Sequence, residues 1–140
     1  MEFREMTQAD LDYLSEHSIS RGVTKKLPDR IDWSYALEHE GVTLVIGGIQ
    51  LINSTTAWGW LDLSGKAGEN IYVVYRVVSE WMEKLCKEKG IKRLMAYTEV
   101  GFQEAELLIE HLGFYQESIM FNFVGDNPAK MWVRFFDGES

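Results

Sequence analysis

The stretch WLDLSGKAGENIYVVYR, residues 60–76, decides the fold, because it places the end of a strand, a turn with two glycines and the start of a helix in direct succession. The run before the turn, TAWGWLDLS, is rich in aromatic residues, as strands often are. From residue 69, apolar side chains recur at steps of three and four, which predicts a long amphipathic helix that ends at Gly90: Ile71, Val74, Val78, Trp81 and Leu85. The turn between strand and helix either cradles a phosphate group or only starts the helix.

The composition predicts one globular domain over residues 1–140, since 46% of the residues are hydrophobic and 26% are charged. The net charge of −8 opposes binding to nucleic acid, whose phosphates need basic partners. The single cysteine, Cys86, allows no internal disulfide, and the start MEFREMTQADLDYL lacks the basic and apolar segments of a secretion signal. Apolar runs such as LVIGGIQLI are far shorter than the roughly 20 residues that cross a bilayer. We therefore expect a protein of the reducing cytoplasm that binds neither nucleic acid nor membranes.

The segments around this stretch predict the other elements of an α+β fold. After a short strand, EFREM, Thr7 and Asp10 form a capping-box pattern that starts a helix at Thr7. Three antiparallel strands are expected at residues 34–40, 42–53 and 56–64, with Gly47 and Gly48 marking a bulge or a close backbone approach. Downstream we expect a buried strand (91–98), a helix (103–114) closed by Gly113, and two strands that form a hairpin across residues 126–128. This order predicts a central mixed sheet of about six to seven strands flanked by helices.

Both the element order and the local sequences resemble the GNAT superfamily of N-acyltransferases over nearly the whole chain. The matching pieces are FREMTQADLDYL, LDLSGKAGEN and EAELLIEHLGF. Within the superfamily, LSGKA and the aromatic strand before it are similar to small GNAT-like proteins of tailed bacteriophages, including internal virion proteins. The resemblance implies a GNAT-like fold, acetyl-CoA as the cofactor, and a location in the host cytoplasm or the virion.

The resemblance also implies where the cofactor binds. In GNAT enzymes the pyrophosphate of acyl-CoA sits on backbone N–H groups of a turn written R/Q-x-x-G-x-G/A, where the helix macrodipole favours an anion. In this chain the spacing departs from that signature, and Glu69 adds a negative charge. The implied cofactor-binding residues are Leu61, Leu63, Gly65, Lys66, Ala67, Gly68 and Asn70, with the backbone of Leu61 or Leu63 holding the thioester carbonyl. The alternative is a plain helix-initiating turn.

Asp62 and Tyr97 are the candidate catalytic residues. Alternation along the strand places Asp62 on the same face as Trp58 and Trp60, and apolar surroundings favour the protonated form of an acid, which suits a general base. The alternative is that Asp62 caps the turn through the N–H groups of Ser64 or Gly65. Tyr97 is a candidate replacement acid, or else a half-buried strand tyrosine with a surface hydroxyl.

The remaining candidate positions do not suggest a catalytic or metal-binding role. Ile109 and Phe102 stand where GNAT enzymes often have a tyrosine and an asparagine, respectively, so two common functional side chains are missing. The three histidines show no metal-ligand spacing, and we assign no metal. Cys86 is expected to be a structural thiol. Four basic residues either attract an acidic substrate or partner or belong to a solvated loop: Arg21, Lys25, Lys26 and Arg30.

Two hypotheses about function follow. In the first, the protein is an acyl-CoA-dependent N-acetyltransferase that transfers the acyl group directly to a small amine or a protein amine. In the second, a GNAT-like scaffold has lost catalysis and binds a host or virion protein through its acidic surface and exposed aromatic residues. The fold does not decide between them.

Overall fold

The computed structural model describes residues 1–19, 32–101 and 103–136. Its strands and helices follow one another in the order that the sequence predicts. In chain order the elements are β1 (Glu2–Glu5), α1 (Gln8–His17), β2 (Trp33–His39), β3 (Val42–Leu51), β4 (Thr56–Leu63), a 3₁₀ helix (Gly65–Asn70), α2 (Ile71–Lys89), β5 (Arg93–Glu99), α3 (Gln103–His111), β6 (Tyr115–Val124) and β7 (Asn127–Phe135).

The strands form a seven-stranded mixed sheet in the order β1-β2-β3-β4-β5-β7-β6. The pairs β1–β2, β2–β3, β5–β7 and β6–β7 are antiparallel, and β4 pairs with β5 in parallel. The predicted mixed sheet flanked by helices is therefore confirmed. The chain divides into two compact units, Met1–Leu51 with Gly59–Val74 and Ile52–Trp58 with Tyr75–Ser140. The single domain over residues 1–140 stays a prediction.

In the first unit, α1 begins where the sequence predicts, because Thr7 and Asp10 form a complete capping box. The buried side chains of Leu14, Ala36 and Ile46 form a core cluster against which Trp60 packs. Gly48 of β3 lies under the Trp60 ring, since a Cβ there would come within 2.8 Å of the ring carbons. Of the two predicted explanations for these β3 glycines, the close approach is the one observed.

In the second unit, two helix C-termini are closed by glycines in the left-handed conformation, as predicted. Gly90 has a φ of 73° and follows α2, and Gly113 has a φ of 89° and follows α3. After α3 the N–H of Phe114 donates to the Ile109 carbonyl, which is the bond of a Schellman motif. Both stops are therefore local features that a short stretch of sequence specifies.

The C-terminal hairpin turns earlier than its sequence predicts. Val124 pairs with Asn127, so the turn consists of Gly125 and Asp126, and Gly125 has a φ of 62°. Pro128 lies inside β7, where its carbonyl accepts from the Val100 N–H. The predicted hairpin is confirmed, but its turn lies at residues 125–126 rather than across residues 126–128, because Gly125 supplies the positive φ.

Candidate functional site

The β4–α2 turn, residues 64–70, connects β4 to the long helix without an intervening loop. Ser64 follows the last residue of β4, and the 3₁₀ helix runs directly into α2 at Ile71. This confirms that the glycine-containing turn lies at the N-terminus of the long helix.

Among the residues the structure describes, no helix is long and apolar enough to cross a membrane.

Ser64 fixes the start of the turn to β3. Its side chain is fully buried, its N–H donates to the Leu44 carbonyl at 2.9 Å, and its Oγ donates to the Thr43 carbonyl at 2.9 Å. Ser64 makes no side-chain cap to the 3₁₀ helix that follows. The first N–H groups of this helical segment therefore do not receive the side-chain capping that a serine at this position usually provides.

Two glycines of the β4–α2 turn are not required by the protein's own packing. Gly65 and Gly68 are exposed, and neither has a positive φ. Among the residues that the structure describes, a Cβ at Gly68 would have no atom within 4 Å, and one at Gly65 would have only the His17 carbonyl oxygen, at 4.0 Å. These positions leave the backbone open to close approach by a ligand, which is the property a pyrophosphate cradle needs. Both glycines of the β4–α2 turn therefore leave room for a ligand beside the backbone.

The remaining residues of the β4–α2 turn give it an anchor and a modest charge. Ala67 is fully buried, and its N–H donates to the Ser64 carbonyl. Lys66 lies 3.2 Å from Glu69, and both side chains are more than half exposed, so this ion pair is weak. Asn70 is exposed at the end of the turn. Glu69 thus partly neutralises Lys66, a pairing that the structure adds to the negative charge expected from the sequence.

The backbone N–H groups of Leu61 and Leu63 point away from β3. The Ser64 N–H points toward β3, and N–H directions alternate along a strand, so those of Leu63 and Leu61 point to the other side. On that side the Ile19 N–H donates to the Leu63 carbonyl at 3.0 Å, and Ser18 forms an isolated bridge with Ser64. The segment after α1 is therefore attached to the end of β4.

Asp62 is fully buried and forms a hydrogen bond with Ser18, a residue that the sequence analysis did not identify as part of the site. The Ser18 hydroxyl donates to Asp62 Oδ1 at 2.5 Å, across 44 residues of sequence. The alternative cap through Ser64 is not observed, because that N–H donates to Leu44. No sequence pattern pairs these two residues; the available signal was only that Ser18 directly follows α1.

A second carboxylate, Asp10, is also buried in the first unit. Both Arg4 terminal nitrogens donate to it, at 2.7 and 2.9 Å, and Thr43 Oγ1 donates at 2.7 Å. The Thr7 N–H donates at 2.8 Å as part of the capping box. The Arg4 hydrogen bonds hold the pKa of the Asp10 carboxyl well below its usual range. Asp10 is therefore a charged structural group.

Tyr97 belongs to an aromatic group in the second unit. Its ring centroid lies 6.1 Å from that of Trp58 and 4.9 Å from that of Phe123, both edge to face. Tyr97 is 45% exposed. The structure thus places Trp58 with Tyr97 and Phe123, and it places Trp60 over Gly48, so the two tryptophans have different surroundings.

Three other sequence expectations concern residues away from the turn. Cys86 is fully buried, and burial raises the pKa of its thiol to about 12, which agrees with a structural thiol. Ile109 is buried in α3. Phe102 and the basic residues Arg21, Lys25, Lys26 and Arg30 lie outside the described residues. In the part of the chain that is described, no three His, Cys, Asp or Glu side chains are grouped to hold a metal ion.

Comparison with solved structures identifies the fold. The ribosomal-protein-S18-alanine N-acetyltransferase from Escherichia coli superposes with a TM-score of 0.74 at 14% identity, over 99% of this chain and 96% of that one. An aminoglycoside 6'-N-acetyltransferase complexed with coenzyme A has a TM-score of 0.71 at 13% identity, over 100% and 99%. A spermidine/spermine N-acetyltransferase from Vibrio cholerae has a TM-score of 0.69 at 12% identity, over 96% and 91%. The chain therefore has the GNAT acetyltransferase fold. No protein-family model and no curated protein sequence matches it.

Proposed function

We propose that this protein is an acetyl-CoA-dependent N-acetyltransferase. The observation that carries the proposal is the β4–α2 turn, in which two exposed glycines with ordinary φ values and open Cβ positions lie at the N-terminus of the long helix. Glycine in a helical segment without a structural need destabilises the protein relative to alanine. Its presence at both positions is explained if a ligand approaches the backbone there.

The turn would hold the CoA pyrophosphate. The backbone N–H of Lys66, in the first turn of the helical segment, would supply a hydrogen-bond donor; the Lys66 side chain would supply a positive charge, and the helix macrodipole favours an anion. Ala67 anchors the turn, and Asn70 offers an exposed side-chain amide. Support comes from one structural neighbour, an aminoglycoside acetyltransferase that was solved with coenzyme A.

The residues of β4 would orient and assist the reaction. When bound, acetyl-CoA supplies a thioester-activated acyl carbon, so that a C–N bond forms as the C–S bond breaks and the thiol leaves. The N–H groups of Leu61 or Leu63, which point away from β3, are donors for the acyl oxygen. Asp62 is the candidate general base, and Tyr97 remains a candidate acid. The acceptor amine is proposed to belong to one of the classes named for the neighbours: an alanine of a ribosomal protein, spermidine or an aminoglycoside.

A phage origin and a lapsed-catalysis role remain proposals that rest on the sequence resemblance. The strongest structural feature in favour of a protein partner, whether a host or a virion protein, is an exposed aromatic residue on β6, Phe121, which is 80% exposed. A protein-binding role without catalysis predicts no interaction with CoA, so the experiment below separates the two functions.

The test is a thermal-unfolding titration with CoA. Binding to the folded state raises the melting temperature by mass action, so the unaltered protein should show a concentration-dependent rise. Gly68→Leu fills the open position above the backbone and should abolish that rise. Glu80→Leu adds the same side chain at an exposed position of α2 and should leave the rise unchanged. If millimolar CoA does not raise the melting temperature of the unaltered protein, the proposed function is wrong.

A further inference from the structure

Two groups at the end of β4 form a connection between the protein interior and its surface. Asp62 is fully buried, whereas Ser18, whose hydroxyl donates to Asp62 Oδ1, is partly exposed. A base that is fully buried does not reach an amine directly. A hydroxyl that donates to the carboxylate still offers lone pairs as acceptors on its oxygen.

Backbone contacts hold Ser18 at the edge of β4 that faces away from β3, where the reaction is proposed to occur. Ile19 donates to the Leu63 carbonyl, and Ser18 bridges to Ser64. That is the side toward which the Leu61 and Leu63 N–H groups point. The Ser18 N–H also donates to the Leu14 carbonyl at the C-terminus of α1, so the residue is held by both α1 and β4.

We propose that Ser18 is a catalytic residue that relays a proton from the acceptor amine to Asp62. The inference rests on the proposed function. Ser18 Oγ accepts a proton from the substrate ammonium while its own hydroxyl proton passes to Asp62 Oδ1. The ammonium becomes a neutral amine, the carboxylate becomes a neutral acid, and Ser18 ends with one hydroxyl proton as before. Asp62 then returns the proton to solvent by the same route in reverse.

The test compares Ser18→Ala, Asp62→Asn and the double variant, with acetyl-CoA and the best of three acceptors: spermidine, a peptide that begins with alanine, and an aminoglycoside. Each single variant should lose at least about tenfold in kcat/KM at pH 7, and the double variant should lose no more than the worse single one. Residual activity should rise with pH, because only amine already deprotonated in solution reacts. Ser18→Thr keeps a hydroxyl and should retain most of the activity.

Two further measurements test that the bond between Ser18 and Asp62 forms and that its role is more than structural. The melting temperatures of the same variants form a double-mutant cycle, in which the two losses should not add because both remove one hydrogen bond. Thr43→Val is the matched control, because it removes a hydroxyl that donates to the other buried carboxylate, Asp10. It should lower the melting temperature and leave kcat/KM within about twofold, since no proton passes there.

The outcomes distinguish this inference from the proposed function. A CoA-dependent rise in melting temperature that persists in Ser18→Ala supports the cofactor site whatever happens to the relay. Near-normal kcat/KM in Ser18→Ala, losses that multiply in the double variant, or no transfer to any of the three acceptors despite CoA binding would each overturn the relay. If CoA does not bind at all, the proposed function fails and the relay fails with it.

Discussion

The first unit contains two helical N-termini, of which one has a side-chain cap and the other has none. At α1, Thr7 and Asp10 form a capping box, and the Asp10 carboxylate is held by Arg4 and Thr43. At the β4–α2 turn, Ser64 makes no side-chain cap, and its hydroxyl and N–H are both directed to β3. The first end is closed by the protein's own carboxylate, and the second presents glycines and a lysine.

The difference separates a structural helix start from a candidate binding site. The first N–H groups of every helix need partners, and the macrodipole makes a negative partner favourable. At α1 the protein supplies that negative partner itself, so an external anion gains nothing there. At the β4–α2 turn we propose that a ligand supplies the negative partner; Glu69 lies at the far end of the turn, paired with Lys66.

The largest expected effect is on the capped end. Asp10→Asn removes the charge that pairs with Arg4, and breaking such a pair is strongly destabilising when it is buried. Because the Arg4 side chain is 37% exposed, we expect the smaller loss of about 2–3 kcal/mol in the free energy of unfolding. Denaturant unfolding measures this loss. A variant as stable as the unaltered protein would show that the closed end has no structural role.

The pH dependence of stability tests the same ion pair between Asp10 and Arg4. The folded-state pKa of Asp10 is lowered by Arg4, so its contribution to stability is present above the unfolded pKa, about 4, and is lost as the pH falls toward the folded value. The unaltered protein should therefore lose stability below about pH 4 more steeply than Asp10→Asn. Glu117→Gln is the control, since Arg93 lowers the pKa of Glu117 at an exposed site, where the effect should be small.

A smaller effect is expected from the other half of the capping box. Thr7→Ala removes the side-chain oxygen that accepts the Asp10 N–H, and such a change costs about 1 kcal/mol. Thr7→Ser keeps that oxygen and should restore most of the stability. Equal losses in both variants, measured by denaturant unfolding, would mean that the threonine methyl group and not the cap stabilises α1.

Gly68→Ala should change stability in the opposite direction. Its φ is not positive and a Cβ meets no atom, so alanine should stabilise the protein by about 0.4–1 kcal/mol. The same methyl group should weaken CoA binding. Calorimetry and thermal unfolding on one sample measure both. A variant that gains stability and binds CoA as well as the unaltered protein would remove the functional reason for the glycine.

The smallest effect concerns the charge in the β4–α2 turn. Glu69→Gln removes the partner of Lys66 and a negative charge near the proposed pyrophosphate, so CoA affinity should rise about twofold to threefold at low salt. Added salt should reduce the gain, because these side chains are exposed. Lys84→Gln, at an exposed position of α2, should leave CoA affinity unchanged. Weaker binding in Glu69→Gln would contradict a phosphate site in this turn.

What the sequence predicts correctly depends on whether the cause is local. The capping box spans Thr7 to Asp10, and the stop at Gly113 depends on a few neighbouring residues, so both are readable from short patterns. The position of the β4–α2 turn follows from the switch between strand and helix patterns. In contrast, the contact of Ser18 with Asp62 joins residues 44 apart and depends on the attachment of the segment after α1 to the end of β4. The sequence therefore named Asp62 and Tyr97 as candidates, but it could not show that Asp62 is buried against Ser18 or that Tyr97 packs on aromatic rings.

The most direct measurement is a CoA titration followed through the backbone amide resonances of isotope-labelled protein. It observes both helical N-termini in one experiment. We predict saturable shifts in the amides of residues 65–70 and none beyond the experimental error in those of residues 7–10, because the β4–α2 turn is open to an anion and the N-terminus of α1 is capped. Equal shifts at both ends, or shifts at neither, would contradict the assignment of the β4–α2 turn as the CoA site.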